Sequence, residues 1–370
     1  MAEIVVTSYT PTLDSGRGKR VYGVVRALAE HGDVHVIYNV FGGAAPSTAF
    51  NRPRILLDPV VSSRGARRGV AYARAVAAGV PAMFARGVSP ELAARASEVA
   101  RSQADARVVA DGPTAAAALL RLAHRQPVVY NAHNIESDLR VALGEPGTPP
   151  PARLAAFEKQ LLETFAETWT VSTADFERAR ELAPSAQLRY VPNVVDVSAI
   201  TPAAYTGAGR VLFAADFTYT PNRDAFAYLA SEVLSELLTV APEARLVVTG
   251  RGSDGLGPDP RIDLLGFVDD LAAVYRSVDC VVVPLRFGGG SPLKFVEALA
   301  YGVPVVATSV AARGLDVVDG VHFLRADGSR RLAELTAQAL KEPNHELRAA
   351  ARGLAEQEYS IETLGRLLRR

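Results

Sequence analysis

Short β-branched runs alternate with longer stretches of helical apolar spacing along the whole chain, a pattern that predicts repeated βαβ units and parallel sheets. In the first half the runs predict strands near 3–8, 34–38, 107–110, 127–132 and 168–172, with helices near 19–31, 91–102, 114–123 and 152–167. Gly32 is placed to end the first helix as a C-cap glycine. In the second half strands are predicted near 210–215, 245–249, 262–265, 279–284 and 304–307, with helices near 222–239, 269–276, 292–301 and 329–340. The halves resemble each other in architecture and not in sequence. The fold class is therefore α/β, two doubly wound parallel sheets whose strand C-terminal ends face a shared cleft.

Both periodicities lapse over 191–202, where Pro192 and Pro202 stiffen the chain, so this segment reads as a linker. The expected domains are 1–193 and 194–356, with a C-terminal helix at about 357–370 able to pack back on the first. Residues 143–151 carry four prolines and cannot be helix or central strand; they read as a surface loop, either beside a site or simply unstructured.

Composition narrows the class. At 370 residues, 49% hydrophobic and 22% charged, the chain can bury two sizeable cores, and neither disorder nor coiled coil fits. Lys plus Arg equal Asp plus Glu at 40 each, so a general nucleic-acid binder is excluded as a partner class and any anion site must be local. The single cysteine, Cys280, rules out an internal disulfide framework and a cysteine-based zinc site. No signal-peptide pattern precedes the strand at Ile4 and no apolar run reaches bilayer length, so a cytoplasmic location is expected. Arg52, Arg54, Arg64, Arg67, Arg68, Arg74 and Arg86 are interrupted by only one acid, Asp58. A solvated arginine-rich face is the simpler reading, and peripheral membrane contact stays open beside it.

One segment carries chemistry. A buried strand ends at Leu285, Arg286 follows, and then Gly288, Gly289 and Gly290 lead to Ser291 as N-cap and Pro292 as first helical residue, with Gly302 closing the helix. A glycine-rich loop feeding a helix N-terminus offers unpaired N–H groups and a positive dipole end to phosphate, although a tightly packed turn would look the same. Lys294 shifts the balance. It opposes the dipole in the first turn and precedes Glu297 by three residues, the less favourable order for a helical ion pair. A bound diphosphate would explain it, with Glu297 one turn deeper accepting from ribose hydroxyls.

These residues resemble a known family. The segment 289–308 resembles the donor-site motif of retaining GT-B glycosyltransferases of the family 4 type (glycosyltransferase group 1), and Gly266 to Leu271 and Asp279 to Pro284 match the segments before it. The resemblance covers most of 190–345 and is weaker in the first half. It implies a GT-B fold of two Rossmann-like domains, the first binding the acceptor and the second the nucleoside-diphosphate sugar, with no cofactor besides that donor substrate. Glu297 holds the place of the acid that binds the donor ribose, while the acid that would contact the sugar corresponds to Gly289. Ala215 and Asp216 stand where the family has a glycine and a diphosphate-grasping arginine. Lys294, with Arg223 or Arg286 as helper, would then neutralise the leaving group, backbone N–H groups of Gly289, Gly290 and Ser291 would recognise the sugar, and Gly288 belongs to the same donor-binding loop. Gly250 and Arg251 resemble the nucleobase loop, although for Arg251 a structural turn is an equal alternative, and Val268 resembles the position whose backbone contacts the base.

In the first half, Gly16 and Gly18 sit at a strand-to-helix turn that lacks both a dinucleotide fingerprint and a P-loop. In the family this loop lies over the donor phosphates; an ordinary turn is the alternative. His133 lies just past a strand, where the family has a histidine near the reacting centre, and His31, His35, His124, His322 and His345 read as surface or turn residues. Asn134 and Glu136 are acceptor-side candidates, though Glu136 can equally pair with Arg140. No zinc motif, nucleophile elbow or paired-aspartate metal motif is present, so metal dependence is not expected, and the resemblance implies a hexosyltransferase. The acceptor is left as a small molecule, a lipid-linked carrier or a polysaccharide. A non-catalytic sugar-nucleotide binder is the alternative.

Overall fold

A computed structural model describes residues 2–40, 44–103, 105–144, 148–257 and 259–369. The chain divides into two compact units, 1–192 with 364–370, and 193–363. Among its described residues the first holds seven strands: β1 (Glu3–Thr7), β2 (Val34–Asn39), β3 (Ile55–Val60), β4 (Arg107–Asp111), β5 (Val128–Asn131), β6 (Glu167–Thr170) and β7 (Leu188–Tyr190). They pair in the order β3-β2-β1-β4-β5-β6-β7, every pair parallel. The second holds β8 (Arg210–Ala214), β9 (Arg245–Thr249), β10 (Ile262–Leu264), β11 (Cys280–Val283), β12 (Val305–Ala307) and β13 (Leu324–Arg325), in the order β10-β9-β8-β11-β12-β13. Central strands such as Cys280–Val283 are buried throughout, because helices cover both faces of a parallel sheet.

Strand order fixes where ligands bind. In each sheet the order reverses at one place, between β1 and β4 and between β8 and β11, and loops leaving the carboxyl ends of those strands form the crevice of a doubly wound sheet. The loops in question are those that follow Thr7, Asp111, Ala214 and Val283.

Several expectations need correction. The first helix runs Gly16–Ala29 with Glu30 as its C-cap, so Gly32 lies beyond it; it also starts three residues early, because Ser15 caps it by accepting from Gly18 N. Strands β3 and β7 and the helices Ala66–Ala77, Glu136–Leu143, Thr173–Leu182 and His345–Glu358 had no counterpart in the periodicity. β3 was hidden by Pro59, which is tolerated there because the strand is at the sheet edge. The expected 222–239 helix contains one π-helical turn at Leu229–Val233 between Thr220–Tyr228 and Leu234–Val240. Of the expected 143–151 loop, 145–147 lie outside the described residues, and Pro151 begins the helix Pro151–Thr164.

The segment 191–202 is not a free linker. Val194 and Val197 are buried, Val195 N donates to Tyr359 O at 2.9 Å, and Arg352 reaches Ile200 O at 3.0 Å and Val197 O at 3.1 Å. Val197 joins the core of the second unit and Val195 packs against it, so from 193 on the segment belongs to that unit. The chain re-enters the first unit at 364 rather than at about 357. There Arg107, which also holds Glu3 at 2.8 Å, donates to Leu368 O at 3.1 Å. His35 is not a surface residue either: it lies in β2, and its Nε2 is 2.8 Å from Asp58 Oδ2, which Arg95 Nε reaches at 2.7 Å.

Candidate functional site

Three backbone loops of the second unit are bonded side by side at the carboxyl ends of β8, β9 and β10. Ala215 N donates to Thr249 O at 2.9 Å, Phe217 N to Arg251 O at 2.8 Å, and Gly250 N to Gly266 O at 2.9 Å. Gly250 is indispensable to this packing. Its φ is 129°, and a Cβ there would lie 1.9 Å from Ala215 O. Directly beyond it, Arg251 forks onto the Asp216 carboxylate, which also accepts from Thr218 N at 3.0 Å and Thr218 Oγ1 at 2.6 Å. Burial works against ionisation of Asp216, but these donors outweigh it and hold the carboxyl below the usual range. Arg251 is thus committed to Asp216, which favours its structural reading over one in which it reaches a base. Val268 is half-buried against the core.

The glycine-rich loop after β11 feeds the helix Leu293–Tyr301, which begins one residue later than expected; Pro292, not Ser291, is the N-cap, and no side chain caps it. Gly288 (φ 141°) and Gly290 (φ 70°) take conformations that side chains rarely adopt, while Gly289 is exposed. Ser291 is buried, its carbonyl accepts from Asn193 Nδ2 at 2.8 Å, and its Oγ has no partner among the described residues. An orphaned hydroxyl beside uncapped helix N–H groups is a place where an anion could be received.

Lys294 is held here. Its Nζ donates to Asn222 Oδ1 at 2.6 Å and lies 4.7 Å from the centre of the Phe213 ring. Asn222 Nδ2 donates to Asp216 O at 2.8 Å, which turns Oδ1 toward the lysine. Burial lowers the ammonium to about 7, against the opposing pull of Glu297 and Asp216. The carboxylate of Glu297, 9% exposed, accepts from Tyr275 OH at 3.2 Å, and Tyr275 stacks on Tyr301 with centroids 4.5 Å apart. Sequence reasoning missed Phe213, Asn222 and Tyr275, single residues whose meaning comes from contacts with Lys294 and Glu297, distant in the chain. Arg286 pairs with Asp224 and lies 5.0 Å from the Tyr228 ring centre, and Arg223 is exposed, 3.5 Å from Thr220 Oγ1, so neither touches Lys294.

In the first unit, the loop after β1 turns into the helix at Gly16, which is exposed, whereas Gly18 is buried and a Cβ on it would lie 1.9 Å from Thr12 O. That close approach explains Gly18 without a ligand. His133 Nε2 lies 2.9 Å from Asp111 Oδ1, an oxygen that also accepts from Asn131 Nδ2 at 2.8 Å. Asn134 is half-buried; Glu136 is buried and takes its alternative partner, Arg140 Nε at 3.3 Å. Beneath them Glu158 accepts from Ser137 N at 3.0 Å, and burial, with Glu136 nearby, pushes it up to about 8. Asp111, Asn131 and Glu158 were also missed, since single polar residues at strand ends and on a helix leave no pattern.

Residues 208–342 match the family described as Glycosyl transferases group 1. The D-inositol 3-phosphate glycosyltransferase of Rhodococcus erythropolis is 30% identical over 262 residues, covering 59% of this chain and 58% of that protein; that of Mycobacterium sp. (strain JLS) is 28% identical over 227 residues, covering 55% and 50%. The chain thus spans about half the length of the curated relatives it matches. Among solved structures, Anabaena HepE in complex with UDP and glucose superposes with a TM-score of 0.71 at 15% identity, over 99% of this chain and 98% of that one. The sucrose-phosphate synthase of Thermosynechococcus elongatus gives 0.73 at 16%, over 100% and 97%.

Proposed function

With a group 1 glycosyl transferase domain at 208–342 in a GT-B fold, we propose that this chain is a retaining glycosyltransferase moving a hexose-like sugar from a nucleoside diphosphate to a hydroxyl acceptor. The observation that carries this is the half-buried Lys294, aimed by Asn222 and Phe213 beside an uncapped helix N-terminus and a Ser291 hydroxyl with no partner among the described residues. Charge held partly out of water in this way is what a developing phosphate oxyanion repays. As the glycosidic bond breaks, electrons pass to the β-phosphate oxygen, and Lys294 with the N–H groups of the 293–301 helix stabilises it. In a front-face route that oxygen takes the acceptor proton as the new bond forms on the same face, so no protein nucleophile is required. Metal independence is part of the proposal, checked by full turnover in the presence of a chelator.

The glucose and UDP held by HepE make UDP-glucose the first donor to test, and the inositol phosphate named in the relatives makes a phosphorylated polyol the first acceptor. A thermal-shift panel of UDP, GDP, dTDP and ADP should give a selective rise that Glu297→Ala loses. Calorimetry should show nucleotide affinity falling about 10- to 100-fold in that variant, the loss of a hydrogen bond to a charged group. Unaltered affinity would contradict the ribose role. Binding without turnover of any sugar conjugate would favour the non-catalytic reading, to which Gly289 and the Asp216–Arg251 pair lend support.

The basic stretch has a definite setting. On the helix Ala66–Ala77, Arg67, Arg68 and Arg74 are exposed with Val70 and there is no acid; exposed Val61 and, on the edge strand β3, Leu56 lie just before it. No described helix is long and apolar enough to cross a membrane. Flotation with anionic vesicles is expected for the wild type and lost on Arg64→Glu with Arg67→Glu; absence of flotation would leave a solvated face.

A further inference from the structure

The reading of His133 as a site residue leaves open which of its atoms works and what holds it. We infer that Asp111 is the positioning residue for His133, fixing the ring so that Nδ1 is the atom left to accept a hydrogen bond from a substrate hydroxyl. The inference rests on the proposed function only for the hydroxyl, not for the hold.

Asp111 ends β4, at the reversal of strand order in the first sheet, and its side chain is fully enclosed. Burial disfavours its ionisation, but His133, Asn131 and Arg20 together keep it below the usual carboxylate range. A carboxylate only accepts hydrogen bonds, so the 2.9 Å contact requires the proton on Nε2 of His133. The acceptor is itself anchored. Asn131 Nδ2 donates to the same oxygen at 2.8 Å, while Asn131 Oδ1 accepts from Arg20 at 2.6 Å, which fixes the amide. Arg20 in turn donates to Val191 O at 3.0 Å. This chain of bonds joins the first helix, β5, the end of β4 and the segment after β7.

The other face of the ring is shaped by Gly112. At φ +76°, a Cβ there would lie 3.1 Å from Cε1 of His133 and 3.4 Å from Nδ1, so the imidazole occupies the space a side chain would fill. A histidine serving only the core would need neither the buried carboxylate nor this clearance. Here the two together choose one tautomer and one ring plane, and leave a residue 11% exposed with a single uncommitted nitrogen. A substrate lacking the hydroxyl that Nδ1 accepts from would forfeit that bond.

The test is nitrogen NMR of the full chain with labelled histidine, together with kinetics. Neutral His133 should carry its proton on Nε2 in the wild type. Asp111→Ala should mix the tautomers and lower kcat about 100-fold, the scale of a misplaced group, with donor KM changing little. Asp111→Asn, whose carbonyl can still accept from Nε2, should keep the tautomer and recover kcat to within about tenfold. Gly112→Ala, which leaves the carboxylate in place, should displace the ring and lower kcat; it tests the hold if the alanine variant at Asp111 does not fold. A proton on Nδ1 in the wild type overturns the inference, as does Asp111→Ala with tautomer and kcat unchanged. Equal losses in both Asp111 variants with the tautomer kept would also overturn it, replacing positioning by charge. If no sugar is transferred at all, the tautomer still decides the role of Asp111, and only the functional reading falls.

Discussion

Lys294→Ala is expected to lower sugar transfer by about 100- to 1,000-fold, the range seen when one preorganised stabiliser of a developing oxyanion is removed. Lys294→Met is expected to do the same while raising the melting temperature. The sign follows from linkage. Burial lowers the native ammonium to about 7 from its ordinary 10.5. Between these values the unfolded chain binds more protons than the native one, so this group's contribution to stability improves as pH rises through that window and is worst below 7. An apolar side chain over Phe213 escapes that cost, so a gain of a few degrees should be largest at pH 6 and fade toward pH 10. Donor binding should carry the opposite signature. A diphosphate selects the protonated amine, so binding at pH 8 should take up a proton, read as a dependence of the calorimetric heat on buffer ionisation enthalpy. No uptake at pH 8 would remove Lys294 from the phosphate site. A melting temperature lowered at pH 6 in Lys294→Met would show that the desolvation cost is not there.

Gly250→Ala should be among the most damaging single changes in the second unit. The new Cβ would meet a carbonyl oxygen, not a flexible side chain, at 1.9 Å, and the residue would be held at φ 129° where alanine is strained. Neither backbone can yield without breaking Ala215 N to Thr249 O or Gly250 N to Gly266 O. A loss of more than about 4 kcal/mol is expected, measured as a collapse of the denaturation midpoint. If the protein folds at all, Asp216 and Arg251, which follow these backbones directly, should lose their pairing, and nucleotide binding should weaken with them. A variant within 1 kcal/mol of wild type by that measure would mean that the loops slide past one another.

Much of the fold was legible because buried parallel strands write themselves as unbroken β-branched runs, as at Cys280–Val283. What escaped had a local cause. Pro59 disguised an edge strand, and Val194 to Val197 looked like a linker because their partners, Tyr359 and Arg352, lie more than 150 residues away. The site divided the same way. Gly288 to Glu297 announced itself through glycines and an ill-placed lysine, whereas Asp111 and Asn222 are ordinary polar residues whose meaning comes from one bond each to His133 and Lys294. Gly18 shows the converse: a glycine that pattern alone offered to a ligand is already required by Thr12.

The strand order and the path of the chain also set a schedule for synthesis. The second unit is one continuous stretch, 193–363, and can close as soon as it leaves the ribosome. The first cannot. Its Arg107 waits for the carbonyl of Leu368 and its His31 for Arg369, 3.2 Å away, so the unit made first is completed last. Through most of translation the 1–192 sheet is a nascent intermediate lacking one helix. A nascent chain ended at residue 363 and held on the ribosome by a linker long enough to expose it should therefore display a protease-resistant second unit and a first unit still dependent on chaperones.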